Sequence, residues 1–275
     1  MSTPSKKPFT LIVPGGMTPA AVYDPVVAEV TRRGHDIRAV QLPSVRLRSE
    51  TGPVREPPTM YEDAALIARE AEVLADDGRD VIIISHSYGG VPATESVRGL
   101  SKAARAKEGK PGGVVRLAYM TSLVPELGAA ANEVLTNRPR AAGTSVEMDM
   151  DEHGWIFITD PAQAASLIAA EIPVEEGERL ARELSYHSST SFTSPLTYAG
   201  YKDVAVSYLL CEKDITIPHE SQADMIELVE RESGNKVDVT RIQAGHAPNL
   251  TAFKEVVDWI VGMAEKAVAD GAGDS

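Results

Sequence analysis

Cysteine is almost missing: Cys211 stands alone among 275 residues. A single thiol forms no internal disulfide, a Cys-x-x-Cys metal knuckle is excluded, and Cys211 reads as a small core residue. Basic charge is in short supply. Twenty-seven Lys and Arg against 40 Asp and Glu leave a net charge of −13, which argues against nucleic acid or an anionic membrane as partner. Long apolar runs are absent too. The longest aliphatic stretch is Val81-Ile82-Ile83-Ile84, far short of the ~20 residues of a membrane span. Met1 to Pro8 holds two lysines without an apolar segment behind them, so no secretory signal is expected. No internal repeat, G-x-G-x-x-G fingerprint or phosphate-loop pattern occurs. With 43% apolar and 24% charged residues the chain has the make-up of an ordinary globular protein. The expectation is a soluble cytoplasmic monomer or homodimer without metal or cofactor.

What is present is a rhythm of strands and helices. Phe9 to Val13 is a short apolar run stopped by Pro14-Gly15-Gly16, which suits a buried parallel strand. A helix after Thr18-Pro19 ends at Gly34, and a second strand spans Asp36 to Leu42. Pro43 to Thr59 reads as loop, Met60 to Asp77 as helix. Asp80 to Ser85 is the strongest strand, its four branched aliphatics implying burial on both faces. Ser101 to Gly113 reads as a solvated loop and Val114 to Met120 as a strand. The rhythm then lapses between Leu123 and Gly200, where Val146 to Ile158 looks like an antiparallel hairpin. It resumes with strand 204–211, helix 218–232, strand 236–242 and helix 250–268. Alternation of this kind predicts an α/β fold: a mostly parallel sheet with helices on both faces. The core comprises residues 1–122 and 201–275, with 123–200 a cap inserted between two late strands.

Ligands of such folds sit beyond the carboxyl ends of the strands. Three strand ends carry chemistry there. Ser85-His86-Ser87-Tyr88-Gly89-Gly90 places a serine on a sharp strand-to-helix turn, a variant of G-x-S-x-G with Ser85 at the first small position. Asp214 follows the 204–211 strand, and His246 lies between Gly245 and Ala247 after the last strand. A serine hydroxyl needs a base, His246 can serve at neutral pH, and Asp214 would fix its tautomer. Activity should fall below about pH 6 as the imidazole protonates. Two backbone N–H groups are needed for an oxyanion: Tyr88, after the serine, and Gly16 in the first loop, with Met17 as its substitute. The other histidines, His35, His86, His153, His187 and His219, read as surface or structural residues.

With these motifs the chain resembles the α/β-hydrolase superfamily from Phe9 to Val268. The Val13-Pro14-Gly15-Gly16 loop, the compact cap and Ser194-Pro195-Leu196-Thr197-Tyr198 are similar to the branch of plant methylesterases and hydroxynitrile lyases and to related fungal hydrolases. That resemblance implies Ser87, Asp214 and His246 as catalytic residues and Gly16 and Tyr88 as oxyanion donors. The branch usually has His-Gly where this chain has Pro14-Gly15. Its lyases carry Lys directly after the histidine and Thr in the first loop; Ala247 and Gly15 stand here, which disfavours lyase chemistry. The expected activity is hydrolysis of a small, largely apolar carboxylic ester, such as a methyl ester or lactone, through an acyl-enzyme. Met17, Trp155, Phe157 and Phe192 are candidate pocket walls, with Met148, Met150 and Tyr198 further cap candidates. The alternatives are a cyclase or acyltransferase on the same scaffold, or a silent ligand-binding protein.

Overall fold

The structure, a computed structural model, describes residues 7–137 and 143–273. The expectation for Met1 to Pro8 therefore falls largely outside the described residues. Among the described residues ten strands divide into two sheets: β1 (Phe9–Val13), β2 (Asp36–Ala39), β3 (Val45–Arg46), β4 (Asp80–Ser87), β5 (Gly113–Ser122), β6 (Met148–Met150), β7 (Trp155–Ile158), β8 (Tyr186–Ser188), β9 (Ala205–Cys211) and β10 (Asp238–Ile242). The main sheet runs β10-β9-β5-β4-β1-β2, and all its pairings are parallel.

The branched run of β4 shows why this sheet lies at the centre. Side chains alternate across a strand. Val81 and Ile83 pack toward α2 (Met60–Asp76), α3 (Gly90–Ser96) and α9 (His219–Ser233), while Ile82 and Ile84 pack toward α1 (Asp24–Arg32) and α11 (Phe253–Gly273). A polar residue anywhere in this run would be stranded between two apolar layers. Helix α2 starts where its sequence says it should, with Thr59 and Glu62 forming a capping box.

β1 pairs with β2 on one side and β4 on the other, so successive connections leave toward opposite edges of the sheet. The crevice beyond the carboxyl ends of β1 and β4 is thus a topological switch point, where ligands of open α/β sheets bind.

Three local expectations are revised. The basic stretch 101–113 contains a helix, α4 (Lys102–Lys107), capped by Ser101. It forms because Arg105 is buried, its guanidinium donating to Asp76 Oδ1 at 2.6 Å and to the Pro111 carbonyl. The proline-rich loop 43–59 contributes β3, which pairs antiparallel with β8 and joins β7 and β6 in a second sheet ordered β3-β8-β7-β6. The last helix is interrupted at Ala252, separating α10 (Pro248–Thr251) from α11. Between β5 and β9 the chain also forms α5 (Ala131–Thr136), α6 (Pro161–Ile168), α7 (Val174–Glu183) and α8 (Ser189–Phe192).

Candidate active site

Ser87 closes β4 with φ at 51°, in the left-handed region that a serine rarely occupies. The strain is held by close packing on both sides. A β-carbon on Gly89 would lie 2.5 Å from the Pro14 carbonyl oxygen, and one on Gly90 would lie 2.2 Å from that of Leu123. Only glycine lets the turn settle between the ends of β1 and β5. Ser85, where the motif ordinarily has glycine, finds a partner instead. Its hydroxyl donates to Ser122 Oγ at 3.1 Å, since the Ser122 proton is engaged by the Ser87 carbonyl at 2.9 Å. The Leu123 N–H reaches the same carbonyl at 2.9 Å.

The hydroxyl so presented lies 3.0 Å from His246 Nε2, and His246 Nδ1 lies 2.7 Å from Asp214 Oδ2. Asp214 is buried and saturated. Its Oδ1 accepts from the Thr216 and Ile217 amides at 2.7 and 2.9 Å, and its Oδ2 also accepts from the Thr121 hydroxyl. Burial alone would raise its pKa. The attraction of His246 and the hydrogen bonds from His246, Thr121 and Ile217 outweigh burial and hold the carboxyl below its ordinary value. An ionised Asp214 requires a proton on His246 Nδ1, which leaves Nε2 as acceptor for Ser87. The loop bearing Asp214 is tied at both ends by Gln222, whose carboxamide bonds the Cys211 N–H and the Cys211 and Ile217 carbonyls.

Gly15 and Gly16 lie alongside the serine turn. A β-carbon on Gly15 would stand 3.2 Å from Ser87 Cβ, and one on Gly16 would stand 3.6 Å from Tyr88 Cβ and 3.2 Å from the Phe192 ring. Among the described residues neither the Gly16 nor the Tyr88 N–H donates to another group. Met17 cannot take Gly16's part, because its N–H donates to His187 Nδ1 at 3.1 Å. Met17 is itself at φ 61°, held also through its carbonyl, which accepts from Ser185 N–H at 2.7 Å. Its side chain packs with Ile158, Ala164, Ala165 and Ala181.

Two histidines read from sequence as surface or structural prove to be buried supports of this arrangement. His86 accepts from the Tyr23 hydroxyl at Nδ1, 2.7 Å, and donates from Nε2 to the His246 carbonyl, also 2.7 Å. His187 accepts from Met17 at Nδ1 and donates from Nε2 to Ser191 Oγ at 3.0 Å, whose proton goes to the Ser188 carbonyl. Burial holds both rings neutral, lowering each pKa to about 3. A third support is Asp63 on α2, fully buried, which accepts from the Tyr88 hydroxyl and the Ser44 N–H, each at 2.8 Å. Burial raises its pKa to about 6. The signal for His86 was available in strand alternation: between Ser85 and Ser87 it must point beneath the turn. Nothing local announced His187 or Asp63, whose partners lie far away in the chain.

The remaining wall candidates divide. Phe192 sits on Gly16 and against Tyr88 and His187, with ring centroids 5.0 Å apart in both cases. Phe157 packs edge-on against Tyr186. Trp155 is fully buried in the second sheet, its indole donating to the Arg55 carbonyl while Arg46 and Arg55 stack on its ring, so it serves packing there. Met148 and Met150 are exposed on the edge strand, and Tyr198 lies under Arg98. Among the described residues no cluster of three or more His, Cys, Asp or Glu could hold a metal ion, and no helix is long and apolar enough to cross a membrane.

Comparison with known proteins agrees with this architecture. A profile of the alpha/beta hydrolase family matches residues 10–259. The chain is 32% identical over 261 residues to a "Probable hydrolase R7" from Phoma sp., covering 94% of this chain and 98% of that protein. Among solved structures, a pyrethroid hydrolase from Sphingobium faniae superposes with a TM-score of 0.69 at 19% identity, covering 94% of this chain and 97% of that one. Polyneuridine aldehyde esterase does so with a TM-score of 0.69 at 16% identity, over 94% of this chain and 100% of that one. The chain belongs to the alpha/beta hydrolase family.

Proposed function

We propose that the protein is a serine esterase that hydrolyses a small, largely apolar carboxylic ester through an acyl-enzyme. The observation that carries this reading is Ser87 Oγ, on a left-handed turn, 3.0 Å from an imidazole oriented by a buried carboxylate. Ser87 attacks the ester carbonyl carbon while its proton passes to His246 Nε2, and Asp214 stabilises the imidazolium. The Gly16 and Tyr88 N–H groups receive the oxyanion. His246 then protonates the departing alkoxide, leaving the acyl group on Ser87. Water entering the same place gives its proton to His246, attacks the acyl carbon and releases the acid. The segment 123–200 acts as the cap over this centre, with Phe192 laid over Gly16 and against Tyr88.

One structural neighbour named an esterase and another named a pyrethroid hydrolase support ester hydrolysis in general, and the chain's relative from Phoma is itself named a probable hydrolase. A methyl ester or lactone suits the two amides and the largely apolar surroundings. The test is turnover of a p-nitrophenyl ester by the wild type and by Ser87→Ala. The substitution should remove on the order of a millionfold in kcat. Wild-type turnover by the variant would refute the mechanism.

A further inference from the structure

β5 lies between the strand that presents Ser87 and the strand that leads to Asp214, and its carboxyl end departs from regular pairing. His86 faces Met120 but Ser87 faces Ser122, so Thr121 is an extra residue, a β-bulge beside the nucleophile. Bulges next to active sites re-aim a side chain. Thr121 is fully buried with φ at 37°, in the left-handed region, where a β-branched residue is a true outlier. A glycine would take that conformation without strain. What threonine adds is a hydroxyl, and it donates to Asp214 Oδ2, the oxygen that also meets His246 Nδ1.

The next two residues hold the nucleophile. Ser122 Oγ and the Leu123 N–H both donate to the Ser87 carbonyl, each at 2.9 Å. Pairing between β5 and β9 ends at Met120 and Leu209. Beyond it the Tyr208 hydroxyl takes over, accepting from the Ser122 N–H at 3.1 Å and donating to the Ser122 carbonyl at 2.9 Å. Residues 121–123 therefore grip the acid and the serine at once, through bonds that do not pass through His246. Asp214 has donors enough without Thr121: two amides on Oδ1 and the imidazole on Oδ2. The Thr121 bond differs in that it holds Oδ2 in place while the imidazole takes up and returns its proton. Strained residues persist where the surroundings over-determine them, and they gather at active sites.

We propose that Thr121 is a positioning residue of the reaction: its hydroxyl fixes the Asp214 carboxylate toward His246, and the bulge that carries it sets the acid at a constant place relative to Ser87. This rests on the esterase reading and deepens it. Thr121 acts through Asp214, and without its proton the charge on Oδ2 is less satisfied and favours the imidazolium. Of the titratable groups around the pair, burial keeps His86 neutral and Tyr208 and Cys211 protonated. Glu171, exposed against Gly245, is common to every variant.

The experiment compares three substitutions on p-nitrophenyl acetate. Thr121→Val keeps the branched shape and loses the donor, Thr121→Ser keeps the donor, and Thr121→Gly relieves the backbone while losing the hydroxyl. Thr121→Val should lower kcat about tenfold and leave KM within about twofold. The acid limb of its kcat/KM profile should move to higher pH by about half a pH unit. Thr121→Gly, which suits the left-handed turn and so folds even where the valine variant does not, should show the same loss and the same movement. Thr121→Ser should recover most of the rate and keep the wild-type limb. A second reading needs no substrate: the low-field proton resonance of His246 Nδ1–H should move in Thr121→Val and Thr121→Gly and stay in Thr121→Ser. Wild-type kcat and limb in Thr121→Gly, or a loss that Thr121→Ser shares in full, overturns the positioning role while sparing the esterase. Absence of ester turnover by the wild type would instead refute the esterase reading. The resonance then decides alone, and one unchanged in Thr121→Gly overturns the role of Thr121.

Discussion

Three buried groups around the candidate site make stability depend on pH in a way that can be worked out in advance. His86 and His187 are each held near pKa 3 against an ordinary 6.5 by burial. Between pH 3 and 6.5 each is neutral when folded and protonated when unfolded, so unfolding takes up two protons. Asp63 is shifted the opposite way, to about 6 from 3.8, again by burial. Between pH 3.8 and 6 it is protonated when folded and ionised when unfolded, so unfolding releases one proton. The net uptake from pH 6 to 4.5 is one proton, and stability falls by about 1.4 kcal/mol for each pH unit lost. Over that interval the wild type should lose about 2 kcal/mol, and Asp63→Asn, lacking the compensating group, about 4 kcal/mol. Burial lowers His35 in the same direction as the other two and steepens both slopes alike. Asp214, held below its ordinary value, loses its contribution only as pH falls below 3.8, outside the interval. Urea denaturation of both proteins at half-unit steps from pH 6.5 to 4.5 measures the two slopes. Equal slopes, or a wild type whose stability is flat or rises toward pH 4.5, would refute the assignment of these groups as buried and neutralised.

Other outcomes follow from the same geometry. His187→Ala should lower kcat about 10- to 100-fold with little change in KM, because the Met17 N–H loses its acceptor and the loop carrying Gly16 loses its anchor. Partial recovery in His187→Asn, whose carboxamide oxygen can accept, distinguishes positioning from bulk, and steady-state kinetics on one ester reads both. Gly90→Ala places a β-carbon 2.2 Å from the Leu123 carbonyl oxygen and should cost at least about 3 kcal/mol. Chemical denaturation with a wild-type midpoint would contradict the packing of the turn.

Much of this was legible in the chain because it depends on short-range order. The run Val81 to Ile84 declares a strand buried on two faces, and both faces are indeed filled by helices. Ser87 ends β4 while Asp214 and His246 stand just past β9 and β10, and a parallel sheet collects strand ends on one side. What escaped depends on partners remote in sequence. Val45–Arg46 is too short to read as a strand and becomes one only against Tyr186–His187. Arg105 makes its segment look solvated until Asp76 and Pro111 accept its protons. His187 meets Met17 across 170 positions, and Trp155, an inviting wall for a ligand, is claimed by two arginines and a carbonyl from the 43–59 loop.

The central claim is that Ser87 is the nucleophile, and the most direct measurement is covalent capture. Incubation with a fluorophosphonate, followed by intact mass and peptide mapping, should give one adduct per chain on Ser87, formed in step with loss of esterase activity and absent from Ser87→Ala. Activity lost without modification of Ser87, or an adduct on another residue that accounts for the loss, would contradict the account.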